Sequence, residues 1–159
     1  MNESAHSMAF NAGTYTPDCE IVTTRTFAAP RSLVYRAWTD PDHLKNWWGP
    51  NGFTNTIKLF DLRIGGRWSF VMHGPEKGNY PNECIFKVIR EPELLIWDRL
   101  SKPIFRVEVR LEEIAVNETR VTFKQQFKTA AECNKLKPYV PVKNEENMDR
   151  LDNELKKMI

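Results

Sequence analysis

The chain has 159 residues, 41% of them hydrophobic, with 23 basic and 21 acidic side chains and a net charge of +2. That length is one domain, and so even a charge balance argues against the clustered basic face that nucleic acid requires. No apolar run approaches the roughly 20 residues that span a bilayer, so no membrane partner is expected.

Residues 1–19 mix Asn, Ser, Gly and Thr with scattered apolar residues. They lack a basic stretch followed by an apolar one, so they read as a flexible leader and not a secretion signal, with a single domain over 20–159. Cys19, Cys84 and Cys133 are odd in number, far apart and without C-x-x-C spacing. Free thiols in a reducing, cytoplasmic compartment are the expectation. The Asn-x-Ser/Thr matches at Asn2 and Asn117 then carry no weight.

Glu20 to Phe27 is β-branched and half-alternating, a strand. Pro30 opens a helix whose apolar face is Leu33, Val34, Ala37 and Trp38. Asp40 caps a second, short helix that starts at Pro41 and carries Leu44, Trp47 and Trp48. After the Gly49–Gly52 loop, Thr54–Leu62 and Arg67–His73 form a hairpin about Gly65-Gly66. Trp68, Phe70 and Met72 share one face of its second strand, and Arg67, Ser69 and His73 the other.

Further strands follow over Tyr80–Arg90 and Leu94–Leu100, with turns at Glu91-Pro92-Glu93 and Pro103. The cleanest alternation then sets Phe105, Val107, Val109 and Leu111 against Arg106, Glu108, Arg110 and Glu112. Such a strand is buried on one face and wet on the other. Thr119–Phe127 repeats the pattern, with Val121, Phe123, Gln125 and Phe127 on one face. Residues 128–141 read as irregular with one helical turn. A final amphipathic helix over 142–158 presents Met148, Leu151, Leu155 and Met158 at spacings of three and four.

Strand, two helices, six strands and a long helix make an α+β fold, one curved antiparallel sheet around the terminal helix. The helix stripe is too narrow to cover one face of seven strands. Either the short helices and loops fill the remainder, or a hollow remains.

Three stretches resemble the motifs of a known family. Asn46-Trp47-Trp48-Gly49-Pro50-Asn51-Gly52-Phe53 is similar to its W-W-G-P-x-G-F signature. Asp61-Leu62-Arg63-Ile64-Gly65-Gly66-Arg67-Trp68 is similar to its D-x-R-x-G-G hairpin. Ala28-Ala29-Pro30 through Val34-Tyr35-Arg36-Ala37-Trp38-Thr39-Asp40-Pro41 is similar to its opening. On these motifs the chain resembles the activator-of-heat-shock-protein-90-ATPase homologue group, within the START-like (SRPBCC, birch-pollen-allergen-like) superfamily. The resemblance implies a helix-grip fold, a seven-stranded sheet gripping the C-terminal helix over a hydrophobic cavity, and binding of a small molecule or lipid-like ligand. The eponymous co-chaperone carries a second, N-terminal domain, which the length before residue 20 does not hold.

The candidate cavity lining follows from the sheet and helix faces. Trp47, Trp48 and Phe53 either stand at a mouth, or one Trp packs into the core while the other fixes the Gly49-Pro50 loop. Trp68, Phe70, Met72 and Trp97 line the pocket or belong to plain core, as do Phe105, Val107 and Phe123. Met148, Leu151 and Leu155 face them from the helix. The Asp61–Arg63 pair reads as turn chemistry.

Catalytic groups are few. His6, His43 and His73 lack metal-ligand spacing, with His6 in the leader and His43 on an exposed helix, and no G-x-S-x-G is present. No metal or cofactor is expected. Tyr80, Glu83, Asp98, Arg99 and Gln125 are candidate inward polar groups, and strand register decides among them. Asp98 and Glu83 are expected on the wet face or at an edge. Binding of an apolar or aromatic small molecule is the leading expectation. A cyclase- or hydrolase-like enzyme using an inward carboxylate and a Tyr is the first alternative, and a chaperone ATPase activator the second. A homodimer through aromatics near Trp47 is compatible with the sequence.

Overall fold

The computed structural model describes residues 15–159, so His6, Asn2 and most of the expected leader lie outside the described residues. The elements run β1 (Glu20–Phe27), α1 (Arg31–Thr39), α2 (Pro41–Trp47), β2 (Thr54–Phe60), β3 (Arg67–His73) and β4 (Asn79–Arg90). Then come β5 (Leu94–Arg99), β6 (Phe105–Ala115), β7 (Glu118–Phe127), α3 (Ala130–Leu136) and α4 (Val140–Met158).

Local chemistry sets several boundaries. Asp40 starts α2 by accepting the Asp42 N–H at 2.9 Å, with Pro41 in the first turn. Thr129 starts α3 the same way, through the Glu132 N–H at 3.1 Å. At the β2–β3 turn a side chain on Gly66 would meet the Asp61 carbonyl oxygen at 2.1 Å, so only glycine fits there. The Arg63 Nε donates to Asp61 across this turn at 2.8 Å.

All seven strands form one antiparallel sheet in the order β1-β7-β6-β5-β4-β3-β2. Strands β2 to β7 are a meander, and β1 closes beside the last of them. The long helix α4 packs against β1 on one flank and against α1 and α2 on the other. This is the helix-grip α+β architecture. The main core lies between the inner face of the sheet and the helices, from Phe27 and Val34 to Trp68, Phe86 and Leu155. A second cluster of Cys19, Ile21, Phe127 and Cys133 sits under α3, and Phe105 packs against both.

The structure departs from the sequence reading in four places. Residues 130–136 form a two-turn helix, not a single turn in irregular chain. The Thr129 cap and the buried Cys133 hold it in place. His43 is half-buried, because Glu154 on α4 comes to 2.8 Å from its Nδ1.

Cys19 and Cys133 are joined as a disulfide, and Cys84 alone is free. The two cysteines lie 114 residues apart, but β1 and β7 are sheet neighbours. The residue entering β1 and the helix leaving β7 therefore meet, with Cα atoms 6.0 Å apart, within bridging reach. The argument from unpaired thiols for a reducing compartment falls with this pairing.

Asp98 is on the outer face, as expected, but it is buried there with Arg106. The Arg106 Nε and Nη2 donate to its two carboxylate oxygens at 2.6 and 3.0 Å. Tyr15 closes over them, its ring 4.8 Å from the Arg106 guanidinium carbon. The Thr16 N–H, donating to the Phe127 carbonyl at 2.8 Å, holds that segment down. Alternation reports which face a residue occupies, not what folds back over it. No helix among the described residues is long and apolar enough to cross a membrane.

Candidate ligand-binding site

Register sorts the polar candidates. Arg99 pairs with Cys84 and Cys84 with Trp68, so all three face inward. Gln125 pairs with Val107 and faces inward as well. Tyr80 pairs with Met72 and shares that face. Glu83 and Asp98 fall on the outer face, where Glu83 accepts a hydrogen bond from the Ser69 hydroxyl. The inward carboxylate that an acid–base reaction would draw on is therefore not supplied by either of these two.

The inner face changes character along the strands. Toward α1 it is aromatic and sealed. The five tryptophans, Trp38, Trp47, Trp48, Trp68 and Trp97, meet with ring centroids 4.6–6.2 Å apart. Phe123 joins Trp38 and Trp48 at about 6 Å. Trp47 is fully buried and donates its indole N–H to the Ala37 carbonyl at 3.0 Å. The indole nitrogens of Trp38 and Trp68 are buried without an acceptor among the described residues. Val107, Met148, Leu151 and Leu155 are buried with this group, and Phe70 stacks on Trp68 at 4.3 Å.

At the other end of the same face, where β3 and β5 stop and β4 and β6 start, burial is incomplete. Met72 and Phe105 are half-buried there, as are Phe53 and Trp48 in the preceding loop, and Tyr80 is 53% exposed. Polar groups join them. Asn144 on α4 donates to the Gln125 Oε1 at 2.8 Å, and Asn82 donates to the Tyr80 carbonyl at 2.8 Å. A depression lined by Pro103, Ile104, Phe127, Glu132, Lys135 and Leu136 lies at this end too.

The loop after α2 is held against α4 by one helix face. The Gly49 N–H donates to Asn147 Oδ1 at 2.9 Å and the Asn51 N–H to Glu146 Oε1 at 3.0 Å. Arg150 Nη1 donates to the carbonyls of Trp48, Gly49 and Pro50 at 3.2, 2.8 and 2.9 Å. Its Nη2 donates to those of Asn46 and Phe53 at 3.1 and 2.7 Å. Gly49 has φ +98°, and a side chain there would strike the Met72 methyl at 2.6 Å. Arg150, Asn147 and Glu146 escaped the sequence reading. On a helix rich in Lys, Glu and Asp they read as solvated face.

Three groups in and around the core hold their protons above their ordinary range. Burial pushes the Cys84 thiol up to about 12, with Arg99 pulling the other way. Burial and then the Asp98 charge raise the Tyr15 phenol, and burial and then Glu91 raise Tyr35. Each keeps its proton folded and gives it up unfolded, so unfolding releases protons at high pH. Stability is therefore complete below the ordinary thiol and phenol pKa values and falls as pH climbs from about 9. Melting temperatures measured from pH 7 to 11 check this, and a flat profile contradicts it. Folded Cys84 is likewise expected to resist iodoacetamide at pH 8, where its thiolate is absent.

Comparison with known proteins places this geometry. Residues 28–156 match the family described as Activator of Hsp90 ATPase homolog 1-like protein. No curated protein matches the chain. Among solved structures, a protein of Nitrosomonas europaea is 23% identical with TM-score 0.81, over 91% of this chain and 98% of that one. A protein of Arthrobacter aurescens is 23% identical with TM-score 0.81, over 87% of both chains. An AHSA1-like protein of Aeromonas hydrophila is 17% identical with TM-score 0.71, over 87% of this chain and 93% of that one. At these identities the likeness is one of fold.

Proposed function

As the chain belongs to the Activator of Hsp90 ATPase homolog 1-like protein family, whose fold is in general a ligand-binding one, we propose that it binds a hydrophobic or aromatic small molecule between the inner face of the sheet and α4. One observation carries this reading. The inner face is sealed by tryptophans toward α1, yet its apolar side chains nearer the β3–β4 and β5–β6 turns, Met72, Tyr80 and Phe105, are left partly open. Apolar groups on a core-facing surface are ordinarily covered, and a half-covered set beside buried amides suits a guest that completes the packing. Met72 adds a side chain that adapts its shape to the guest.

The test is titration with uncharged apolar probes, N-phenyl-1-naphthylamine and dodecanol. Trp48 borders the half-open set and touches the other tryptophans, so intrinsic tryptophan emission reports occupancy. Saturable 1:1 binding with a Kd on the order of micromolar is expected. Emission that is indifferent to both probes overturns the proposal.

A further inference from the structure

Resting on that reading, we propose that the guest is an amphipathic organic carboxylate whose acid group is held by Arg99. Its apolar body lies over Phe105, the ring beside Arg99 at the start of β6.

The argument starts from where the half-buried arginines send their charge. Arg25, also on the inner face, meets Glu145 and Asp149 on α4, each at 2.6 Å. Arg106 is neutralised by Asp98. Arg150 has no carboxylate, but its two terminal nitrogens are taken up by carbonyl oxygens. Arg31, on α1, is half-buried with no carboxylate among the described residues, and its buried Nε has no partner there. Arg99 differs from these in facing inward from the sheet, partly buried, with no carboxylate within ion-pair reach and one terminal nitrogen unengaged among the described residues.

Its surroundings orient the guanidinium without neutralising it. Nε donates to the Ser101 carbonyl and Nη2 to the Lys102 carbonyl, both at 3.0 Å. The Phe105 ring lies 5.5 Å from the guanidinium carbon. Two fixed nitrogens and a ring set the plane, and Nη1 is left with no partner among the described residues. Burial lowers the Arg99 pKa from the ordinary guanidinium value, and the Cys84 sulfur is the one group offsetting it. A planar cation held in place without a counter-ion fits a carboxylate, which takes parallel N–H donors. The half-buried Phe105 ring adjoins it, so the acceptor is the head of a molecule whose remainder is apolar.

The acid is either aliphatic or aromatic, and the test separates the two. Wild type, Arg99→Gln and Arg99→Lys are titrated with dodecanoate against dodecanol, and with 1-naphthylacetate against 2-(1-naphthyl)ethanol, at pH 7.5. Wild type is expected to prefer the acid of at least one pair by about tenfold, the share of one charge-assisted contact. Arg99→Gln should lose that preference while keeping its affinity for the alcohol, and Arg99→Lys should keep part of it. The pair showing the preference identifies the body of the guest.

Wild type that binds alcohol and acid equally in both pairs overturns the Arg99 assignment and leaves the general binding reading standing. So does an Arg99→Gln protein that retains the preference. Binding of neither alcohols nor acids overturns both. The wild-type comparison decides the matter even where Arg99→Gln fails to fold, since it needs no variant.

Discussion

Replacing Arg150 with alanine is expected to lower the melting temperature by about 6–12 °C, a loss of roughly 3 kcal/mol for a chain of this size. The side chain donates to five backbone carbonyls of the segment from Asn46 to Phe53. None of these belongs to a strand ladder; the Trp48 carbonyl also accepts from Asn55 Nδ2 at 2.8 Å and that of Pro50 from the Phe53 N–H at 3.2 Å. Removing the guanidinium strands part of the set without a donor, and a stranded buried acceptor costs about 1–3 kcal/mol. Part of the set reaches water instead, which keeps the total well below five such penalties.

Arg150→Lys should recover less than half of the loss. An ammonium is a compact donor at the end of a flexible stem and does not reproduce two nitrogens spread over five acceptors. Trp48 emission should shift to the red in both variants, because its carbonyl and that of Gly49 are among those released. Thermal melts and emission spectra of the two proteins check the claim. An unchanged melting temperature in Arg150→Ala would mean that Asn147 and Glu146 suffice to hold the loop.

That loop shows what the sequence displays and what it hides. Its tryptophans and glycines stand out, because bulky rings and positive-φ residues are rare and local in their meaning. Its receiver does not, since Arg150 lies about a hundred residues away on a helix whose charges look like solvated face. The strands were readable from alternation, down to the split of Phe105 and Val107 from Arg106 and Glu108. Inward polar groups were not, because parity depends on register. The sheet carries irregularities between Ile57 and Leu59 and between Phe86 and Val88, and each shifts the count by one. The alternation of β7 sets Gln125 with Phe123, and Asp98 is expected outward, but Arg99 and Tyr80 are sorted only by the pairings. The burial of Asp98 then came from Tyr15, in a stretch whose composition suggested a leader.

Reduction of the Cys19–Cys133 bond is expected to produce the largest loss of stability of any single change, about 5 kcal/mol by the loop-entropy relation and 10 °C or more in melting temperature. The bond closes a chain of more than a hundred residues, with a sequence separation of 114, so the open form gains much freedom when it unfolds. The loss should not be even. Cys133 sits in α3, which packs on β7, and the small cluster of Cys19, Ile21 and Phe127 beneath it is separate from the main core. Amide exchange over residues 130–136 should therefore accelerate first, while the tryptophan cluster under α4 stays protected. Paired substitution of Cys19 and Cys133 by serine should match the reduced protein in both respects. Thiol titration in denaturant supplies the independent check. The unreduced protein should show one thiol, Cys84, and three after dithiothreitol. Three thiols before any reductant would mean that the bridge is open in the isolated protein, and the predicted loss would vanish with it.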